Sequence, residues 1–340
     1  TVSDGGTIQL GGTGVADQAS DAFIVIRPGA RLDASGTSAI IDLSAGASPS
    51  TPSRPRLVAS NGGSIGLYSD NGIYLDGEIR ASAGGPGASG GTLAVNLVGR
   101  IYTPLIAGPL APDGIGLIPD AIQKLHNVTI VQNNPSSGLA ADLTPGKADP
   151  ALQFGTAVLG VDQIHAGGFD SLSLRTSDLF VFKGDVNLAM RRSLTLSGGI
   201  ITASSDTPNA AISLAAPYVR LDGRIDNNQA SLQQYQPGLG VSGPSLRNDN
   251  SLHIAADLID ISGTLRFGAF GAQGSGALLY ISDTNNIPAP FTDQGTHTSG
   301  PHLVNAPGFD QITLQSSGDI RLATSAVVAP GDLTIQAAQL

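Results

Sequence analysis

Cysteine and tryptophan are absent from this chain of 340 residues. Without cysteine the chain can form no disulfide bond and no cysteine-ligated metal site. Its stability must therefore come from backbone hydrogen bonds and buried apolar side chains. Aromatic residues make up only 4% of the sequence, which disfavours a groove lined with rings that stack on sugars.

Residues that favour helices are also scarce. Glu78 is the only glutamate, Met190 is the only methionine, and lysine occurs only at positions 124, 147 and 183. Glycine (45 residues) and proline (21 residues) are plentiful instead, and these residues concentrate in turns. A hydrophobic content of 41% is too high for a disordered chain. The composition therefore predicts an all-β fold with many short strands.

Positive charge is scarce and scattered. The formal net charge is −10 and the isoelectric point is about 4.7. Nucleic acids and anionic membranes are therefore disfavoured as partners, because both require a basic surface. The chain opens at Thr1 on a strand-like pattern without a signal peptide, which we interpret as the start of an internal segment of a longer protein.

Short segments of alternating apolar and polar residues recur along the chain. In two pairs of such segments, Leu172 and Leu194 are 22 residues apart, and Ile312 and Leu333 are 21 residues apart. A period near 20 residues predicts a parallel β-helix, a β-solenoid whose coils stack about 4.8 Å apart. We expect about 11–13 such coils in a single domain over residues 1–340.

Two other all-β architectures fit the pattern less well. A β-sandwich of this length would need two domains, and no linker divides the chain. A β-propeller usually repeats at about 40 residues or more with an aromatic signature, whereas tryptophan is absent.

The sequence also repeats itself. Residues 168–174 (GFDSLSL) return as residues 308–314 (GFDQITL). Three segments share two apolar pairs followed by a polar residue and a glycine, at Asp76-Gly77, Asp222-Gly223 and Ser262-Gly263. We interpret each polar-Gly pair as a tight corner in which glycine adopts a positive φ.

Several stretches interrupt the pattern. Residues 46–56 resemble a loop that leaves the scaffold, and residues 227–250 and 284–307 resemble further loop excursions. Residues 102–153 are predicted to form an irregular excursion with one short helix, from Pro119 to Leu125. Binding surfaces tend to lie on such excursions from a regular scaffold.

The coil motifs resemble those of filamentous-haemagglutinin-like exoproteins, the large passengers of bacterial two-partner secretion. The resemblance rests on residues 5–8 (GGTI), on residues 62–65 (GGSI), on the Leu-Asp-Gly corners and on residues 166–172 (AGGFDSL). It implies a right-handed β-helical filament, export through an outer-membrane two-partner secretion transporter, and a place on the bacterial cell surface. Asn134-Pro135 does not match the family's secretion-domain motif, so the resemblance implies a later segment of the filament.

No catalytic, cofactor-binding or metal-ligating residue is predicted. His297 and His302 lie in a loop with Asp293 or Asp310 as conceivable third ligands, and we interpret them as solvent-exposed. The other histidines, at positions 126, 165 and 253, look isolated. Residues 183–185 (Lys-Gly-Asp) look like a turn rather than an adhesion tripeptide, and residues 127–129 form a single glycosylation sequon. The Gly- and Asp-rich repeat of calcium-binding solenoids is missing.

These observations predict a non-enzymatic adhesive filament segment. Its partners would be glycans or proteins on a host or neighbouring cell, contacted weakly and repeatedly along the filament. Two alternatives remain open. The chain could be a passive stalk that presents a C-terminal toxin for contact-dependent inhibition, or a carbohydrate-active β-helix enzyme.

Overall fold

The computed structural model describes residues 2–12, 22–44, 53–98, 126–145, 149, 151–223, 247–268, 277–282, 300–305 and 307–340. Most of these residues lie in β-strands, and the only helix within these ranges is α1 (Val161–Ala166). The predicted all-β class is confirmed. No helix in the described part of the chain has the length and hydrophobicity needed to cross a bilayer.

The strands are short, as the alternating segments require. In chain order they are β1 (Thr7–Gly11), β2 (Ile24–Ile26), β3 (Arg31–Asp33), β4 (Ser38–Ser44), β5 (Ser53–Ala59), β6 (Ser64–Ser69), β7 (Gly72–Leu75), β8 (Glu78–Arg80), β9 (Gly91–Leu97), β10 (Asn127–Val131), β11 (Thr156–Gly160), β12 (Phe169–Thr176), β13 (Leu179–Lys183), β14 (Val186–Ala189), β15 (Ser193–Ser197), β16 (Ile200–Ala203), β17 (Ala211–Ala215), β18 (Tyr218–Asp222), β19 (Arg247–Ala256), β20 (Leu258–Arg266), β21 (Ala277–Ser282), β22 (Gly300–Asn305), β23 (Gly308–Ser316), β24 (Ile320–Val328) and β25 (Asp332–Gln336).

Three parallel sheets contain most of these strands. The first has eight strands in the order β1-β6-β9-β12-β15-β18-β20-β24, the second has the order β2-β7-β11-β10-β13-β16, and the third has the order β14-β17-β19-β23-β25. β3 and β8 form a parallel pair, whereas β4–β5 and β21–β22 are antiparallel pairs. Among the described residues the longest sheet has eight strands, whereas 11–13 coils are expected for the full sequence.

Between β12 and β18 the chain visits the three sheets in rotation. From β12 in the first sheet it passes to β13 in the second, β14 in the third and β15 in the first again. The residue spacing seen in the sequence is the strand register, since Leu172 pairs with Leu194 and Ile312 pairs with Leu333. In strands such as β12 and β15 alternate side chains point inward, and leucine and isoleucine side chains from all three sheets form one apolar core.

The internal sequence repeats do not occupy equivalent places. The first copy, residues 168–174, leads into β12 of the first sheet, whereas residues 308–314 lie in β23 of the third sheet. The same local pattern therefore serves two different faces. Both faces can use this pattern because a strand with one buried face has an apolar residue at every second position.

The corner glycines are required for a different reason at two of the three positions. Gly263 has a φ of +65°, as expected, but Gly77 and Gly223 do not have a positive φ. A Cβ at Gly77 would lie 2.6 Å from the backbone oxygens of Arg27 and Ala30. At these two corners glycine is required by the close approach of a neighbouring backbone, and the interpretation based on φ was wrong there.

Helix α1 occupies a position that other passes of the chain fill with a strand. It follows β11 of the second sheet, and it contacts both β8 and β14. Val161 and Ile164 are buried and join the common core. This helix was not predicted, and the helix predicted from Pro119 to Leu125 lies outside the described residues.

The predicted excursion over residues 102–153 contains a strand of the second sheet. β10 lies between β11 and β13, although it precedes β11 in the sequence. The boundaries of this excursion were therefore wrong for residues 126–131. The segment NVTIV alternates as a strand does. It was not predicted as a strand because the surrounding stretch is rich in proline.

The other predicted loops are described only in part. Residues 247–250 of the predicted loop 227–250 begin β19, and residues 300–305 of the predicted loop 284–307 form β22. In the predicted loop 46–56, residues 53–56 belong to β5. The remaining residues of the three loops lie outside the described ranges, apart from Pro307.

Candidate functional site

The outer face of the first sheet is the most regular surface of the molecule. Its side chains point outward because they alternate with buried ones; in β12, Leu172 and Leu174 are buried, and Ser171, Ser173 and Arg175 face outward. Strand pairing aligns these residues in three columns that cross the sheet. We call this surface the ladder face, and its columns are Thr7-Ser64-Thr92-Ser171-Ser193-Tyr218-Leu258, Gln9-Gly66-Ala94-Ser173-Thr195-Arg220-Asp260-Arg321 and Gly11-Tyr68-Asn96-Arg175-Ser197-Asp222-Ser262-Ala323. Asn96 is the exception, because it is buried within its column.

Hydroxyl groups dominate the first column of the ladder face. The side-chain oxygens of Thr7 and Ser64 lie 3.0 Å apart, and Ser193 Oγ donates to Ser171 Oγ over 3.0 Å. Neighbouring residues of a column are separated by the spacing between strands, about 4.8 Å. A hydroxyl group both donates and accepts hydrogen bonds. The column can therefore form the same hydrogen bond repeatedly with a polymer that carries hydroxyl groups.

Charged and aromatic side chains replace the hydroxyls on β18 and β20. Arg220 Nε donates to both carboxylate oxygens of Asp222, at 2.8 and 2.9 Å, and Ser262 Oγ donates to Asp222 over 2.6 Å. Tyr218 Oη donates to Asp260 Oδ2 over 2.8 Å. Burial, together with this bond to Asp260, raises the pKa of Tyr218. The charged side chains on β18 and β20 are therefore paired with neighbouring side chains of the ladder face.

A buried histidine between two carboxylates lies away from the ladder face. His126 is 7% exposed, its Nε2 lies 3.0 Å from Asp70 Oδ1, and its Nδ1 lies 3.5 Å from Asp178 Oδ2. Burial acts to lower the pKa of His126, but the bonds to Asp178 and Asp70 outweigh it and raise the pKa to about 9. The interpretation of His126 as an isolated residue was wrong.

His126 stands at the start of β10 and holds that strand in place. Its backbone N–H donates to Asp178 Oδ2 over 2.8 Å, and its carbonyl oxygen accepts from Thr176 Oγ1 at 2.5 Å and from Leu179 N at 3.1 Å. The ring Nε2 also lies 2.9 Å from the carbonyl oxygen of Asp70. Because the group is enclosed by protein, we assign it a structural role: it fixes β10 between its neighbours.

The two aspartates at the predicted corners have structural partners. Asp76 accepts a hydrogen bond from Ser137 N at 2.8 Å and another from Ser137 Oγ. Asp222 accepts from Arg220 and Ser262 on the ladder face. The structure does not bring the two aspartates together, and both serve the packing of neighbouring segments.

The tripeptide and the sequon are parts of the scaffold. Residues 184 and 185 connect β13 to β14, Gly184 has a φ of +72°, and Asp185 Oδ1 accepts from Ala211 N over 2.8 Å. This is the turn that the sequence predicts. In the sequon, Asn127 begins β10 inside the second sheet, and its side-chain oxygen is buried, so the folded chain does not present it for glycosylation.

The remaining histidines are not grouped. His165 Nε2 lies 3.0 Å from the carbonyl oxygen of Ala189, and His253 Nε2 lies 3.0 Å from Gln315 Oε1. His302 belongs to β22, and His297 and Asp293 lie outside the described residues. Among the residues that the structure describes, no group of three or more His, Asp or Glu side chains is placed to hold a metal ion.

Comparison with protein-family models, with curated proteins and with solved structures finds no match to the chain.

Proposed function

We propose that the three sheets are the faces of a right-handed parallel β-helix. The support comes from connectivity: between β12 and β18 the chain visits the sheets in rotation, each pairing within the three sheets is parallel, and the pairs Leu172–Leu194 and Ile312–Leu333, which are 22 and 21 residues apart, stand in register. A right-handed path follows from the strong preference of parallel strand connections for that hand. In this arrangement α1 replaces one strand, and β4–β5 leaves the helix as a hairpin.

We propose further that this β-helix is an adhesive filament segment of a large secreted bacterial exoprotein. The ladder face is the observation that carries this proposal. Its three columns run across up to eight strands, and the first column carries a hydroxyl group on each of the first five strands. Glycine, alanine or leucine interrupts each column at one or more positions. Repeated weak contacts along such a face can add to a strong attachment without any deep pocket.

Glycans or proteins on a host or neighbouring cell are the partners that this surface fits best. Hydroxyl groups match the donors and acceptors of sugars, and the Arg220–Asp222 and Tyr218–Asp260 pairs present both signs of charge. Secretion through a two-partner transporter rests on the motif resemblance and on the cysteine-free composition, which suits a chain that folds outside the cell without disulfides.

The test compares one substitution on the ladder face with the same substitution on another face. Ser173 and Ser213 are both half-buried serines in the middle of a strand that point outward, on the first and third sheets respectively. Binding of the fluorescent 340-residue chain to immobilised neutral and sulfated glycans and to fixed epithelial cells is measured to saturation. We expect Ser173→Glu to weaken binding about tenfold and Ser213→Glu to leave it unchanged.

Other outcomes would redirect the proposal. Equal loss in both variants would show that the ladder face is not the binding surface. Saturable binding to none of the probes would favour the passive stalk that presents a toxin. Release of reducing sugar from a polysaccharide by the unmodified chain would favour the carbohydrate-active enzyme.

A further inference from the structure

The β4–β5 hairpin carries most of the exposed large apolar side chains in the described part of the chain. Ile40, Leu43 and Leu57 are 73%, 45% and 55% exposed. Among the described residues, only Leu322 and Leu340 are other large apolar residues with such exposure. Ile40 and Leu57 lie directly opposite each other across the two strands. Exposed apolar side chains grouped in this way mark a surface that contacts another molecule.

The base of the hairpin is fixed to the rest of the molecule. The hydroxyl of Ser60, which is 7% exposed, accepts from Thr37 N at 2.8 Å and donates to the carbonyl oxygen of Ser3 over 2.6 Å. Gly84 N donates to the carbonyl oxygen of Ser60 over 2.9 Å. Because these bonds already order the hairpin, a partner loses less conformational entropy on binding to it.

Strand β4 has backbone groups that point away from β5. Ser60 N donates to the carbonyl oxygen of Thr37 over 2.9 Å, so these two residues form a hydrogen-bonded pair at the base of the hairpin. Bonded and non-bonded pairs alternate in an antiparallel ladder. The N–H and C=O groups of Ser38, Ile40 and Asp42 therefore face the outer edge of β4. Among the described strands only β5 pairs with β4, so this edge can accept an added strand.

A proline closes the opposite edge of the hairpin. Pro55 is paired with Asp42, so by the same alternation the nitrogen of Pro55 points to the outer edge of β5. This nitrogen carries no hydrogen, and proline on an edge strand hinders the pairing of a further strand. Strand addition is thereby directed to β4.

We infer that the outer edge of β4 binds an extended segment of another protein as a third, antiparallel strand. Main-chain hydrogen bonds supply the affinity in this mode of binding, and alternate side chains supply the specificity. An apolar residue of the partner lies beside Ile40, and a lysine or arginine lies beside Asp42, which is exposed. Because the two strands run in opposite directions, the basic residue precedes the apolar one by two positions. The hairpin lies outside the first sheet, so this inference does not depend on the ladder face or on its ligand.

A synthetic peptide with this pattern, Thr-Val-Lys-Val-Ile-Val-Thr, tests the site by fluorescence anisotropy against the 340-residue chain. We expect saturable binding. Methylation of the backbone nitrogens of its lysine and isoleucine removes the hydrogens that face β4, and should raise Kd at least about tenfold. Ile40→Lys should raise Kd by a similar factor. Leu340→Lys is the matched control, because Leu340 is also 73% exposed but lies outside the hairpin, and it should leave Kd unchanged.

A charge exchange tests the register of the added strand. Glutamate in place of the peptide's lysine should raise Kd about threefold or more, because it places two negative charges opposite each other. Asp42→Lys should reverse this preference, so that the glutamate peptide binds more tightly than the lysine peptide. Circular dichroism confirms that each variant is folded. A preference that Asp42→Lys leaves unchanged would contradict the pairing at this position.

The other occupants of the edge have distinct outcomes. Absence of saturable peptide binding, or equal binding of the methylated peptide, would overturn the inference. A dimer that forms without peptide in sedimentation equilibrium and is lost in Ile40→Lys would assign the edge to a second copy of β4 instead. Sedimentation of the chain with phosphatidylserine vesicles that Ile40→Lys abolishes would assign the hairpin to a lipid surface.

Discussion

His126 is enclosed by protein, and its protonation bears on stability. Its pKa of about 9 lies above the ordinary value of 6.5. The charged ring is therefore favoured in the folded state. This stabilisation is fully present below about pH 6.5, and it is lost as the pH rises through about 9.

The stability contributed by His126 can be measured by urea unfolding at pH 6 and pH 10. A shift from 6.5 to about 9 corresponds to about 3 kcal/mol. We expect His126→Gln to lower the free energy of unfolding by about that amount at pH 6 and by much less at pH 10. His165→Gln is the control, because His165 is exposed and bonds to one carbonyl oxygen. A pH-independent loss in His126→Gln would contradict the assignment of charge to this ring.

At the scale of elements, α1 shows that the apolar core accepts a helix in place of a strand. Val161 and Ile164 are three residues apart, which places both on one face of a single helical turn. That face supplies the two buried side chains that a short strand would supply. At this position the core therefore requires buried apolar side chains, and either a helix or a strand can supply them.

Truncation of Ile164 tests this role of α1. Ile164 is 1% exposed, and we expect Ile164→Ala to lower the free energy of unfolding by about 2–4 kcal/mol. Ala166→Ser, at an exposed position of the same helix, should change it by less than about 0.5 kcal/mol. Thermal and urea unfolding of the three proteins provide the comparison, and a loss of similar size in both variants would mean that α1 does not pack on the core.

The sequence predicted the strands and much of their register but not their connections. Alternation identified β12 and β15, and the 22-residue spacing matched Leu172 to its partner Leu194, because both signals are local and periodic. The position of β10 depends on contacts between His126 and residues 56 and 52 positions away. Nothing in local periodicity encodes such distant pairs. The two-residue face of α1 was visible in the sequence but too short to stand out from strand alternation.

For the whole molecule, the number of neighbouring strands makes local stability depend on position. Among the described strands, β12 and β15 have a strand on each side, whereas β1 and β25 have one on a single side. A stack stabilised mainly by nearest neighbours opens from its ends. The regular register of the first sheet therefore does not imply equal stability along it.

Hydrogen exchange followed by mass spectrometry measures this gradient directly. We expect backbone amides of β12 and β15 to exchange at least about a hundredfold more slowly than those of β1 and β25. Uniform exchange across the first sheet would indicate that the stack unfolds in one cooperative step.

The out-of-order position of β10 constrains the path by which the chain can fold. During synthesis β10 emerges before β11, yet the place beside β7 belongs to β11. If each new strand paired with the preceding strand of its sheet as it emerged, β10 would pair with β7, where the folded protein has β11. Correct folding therefore requires β11 to pair with β7 before β10 takes its final position. It also requires Asp178 to be in place, because Asp178 bonds to His126 at the start of β10. Folding from one end is interrupted midway by a step that only later residues can complete.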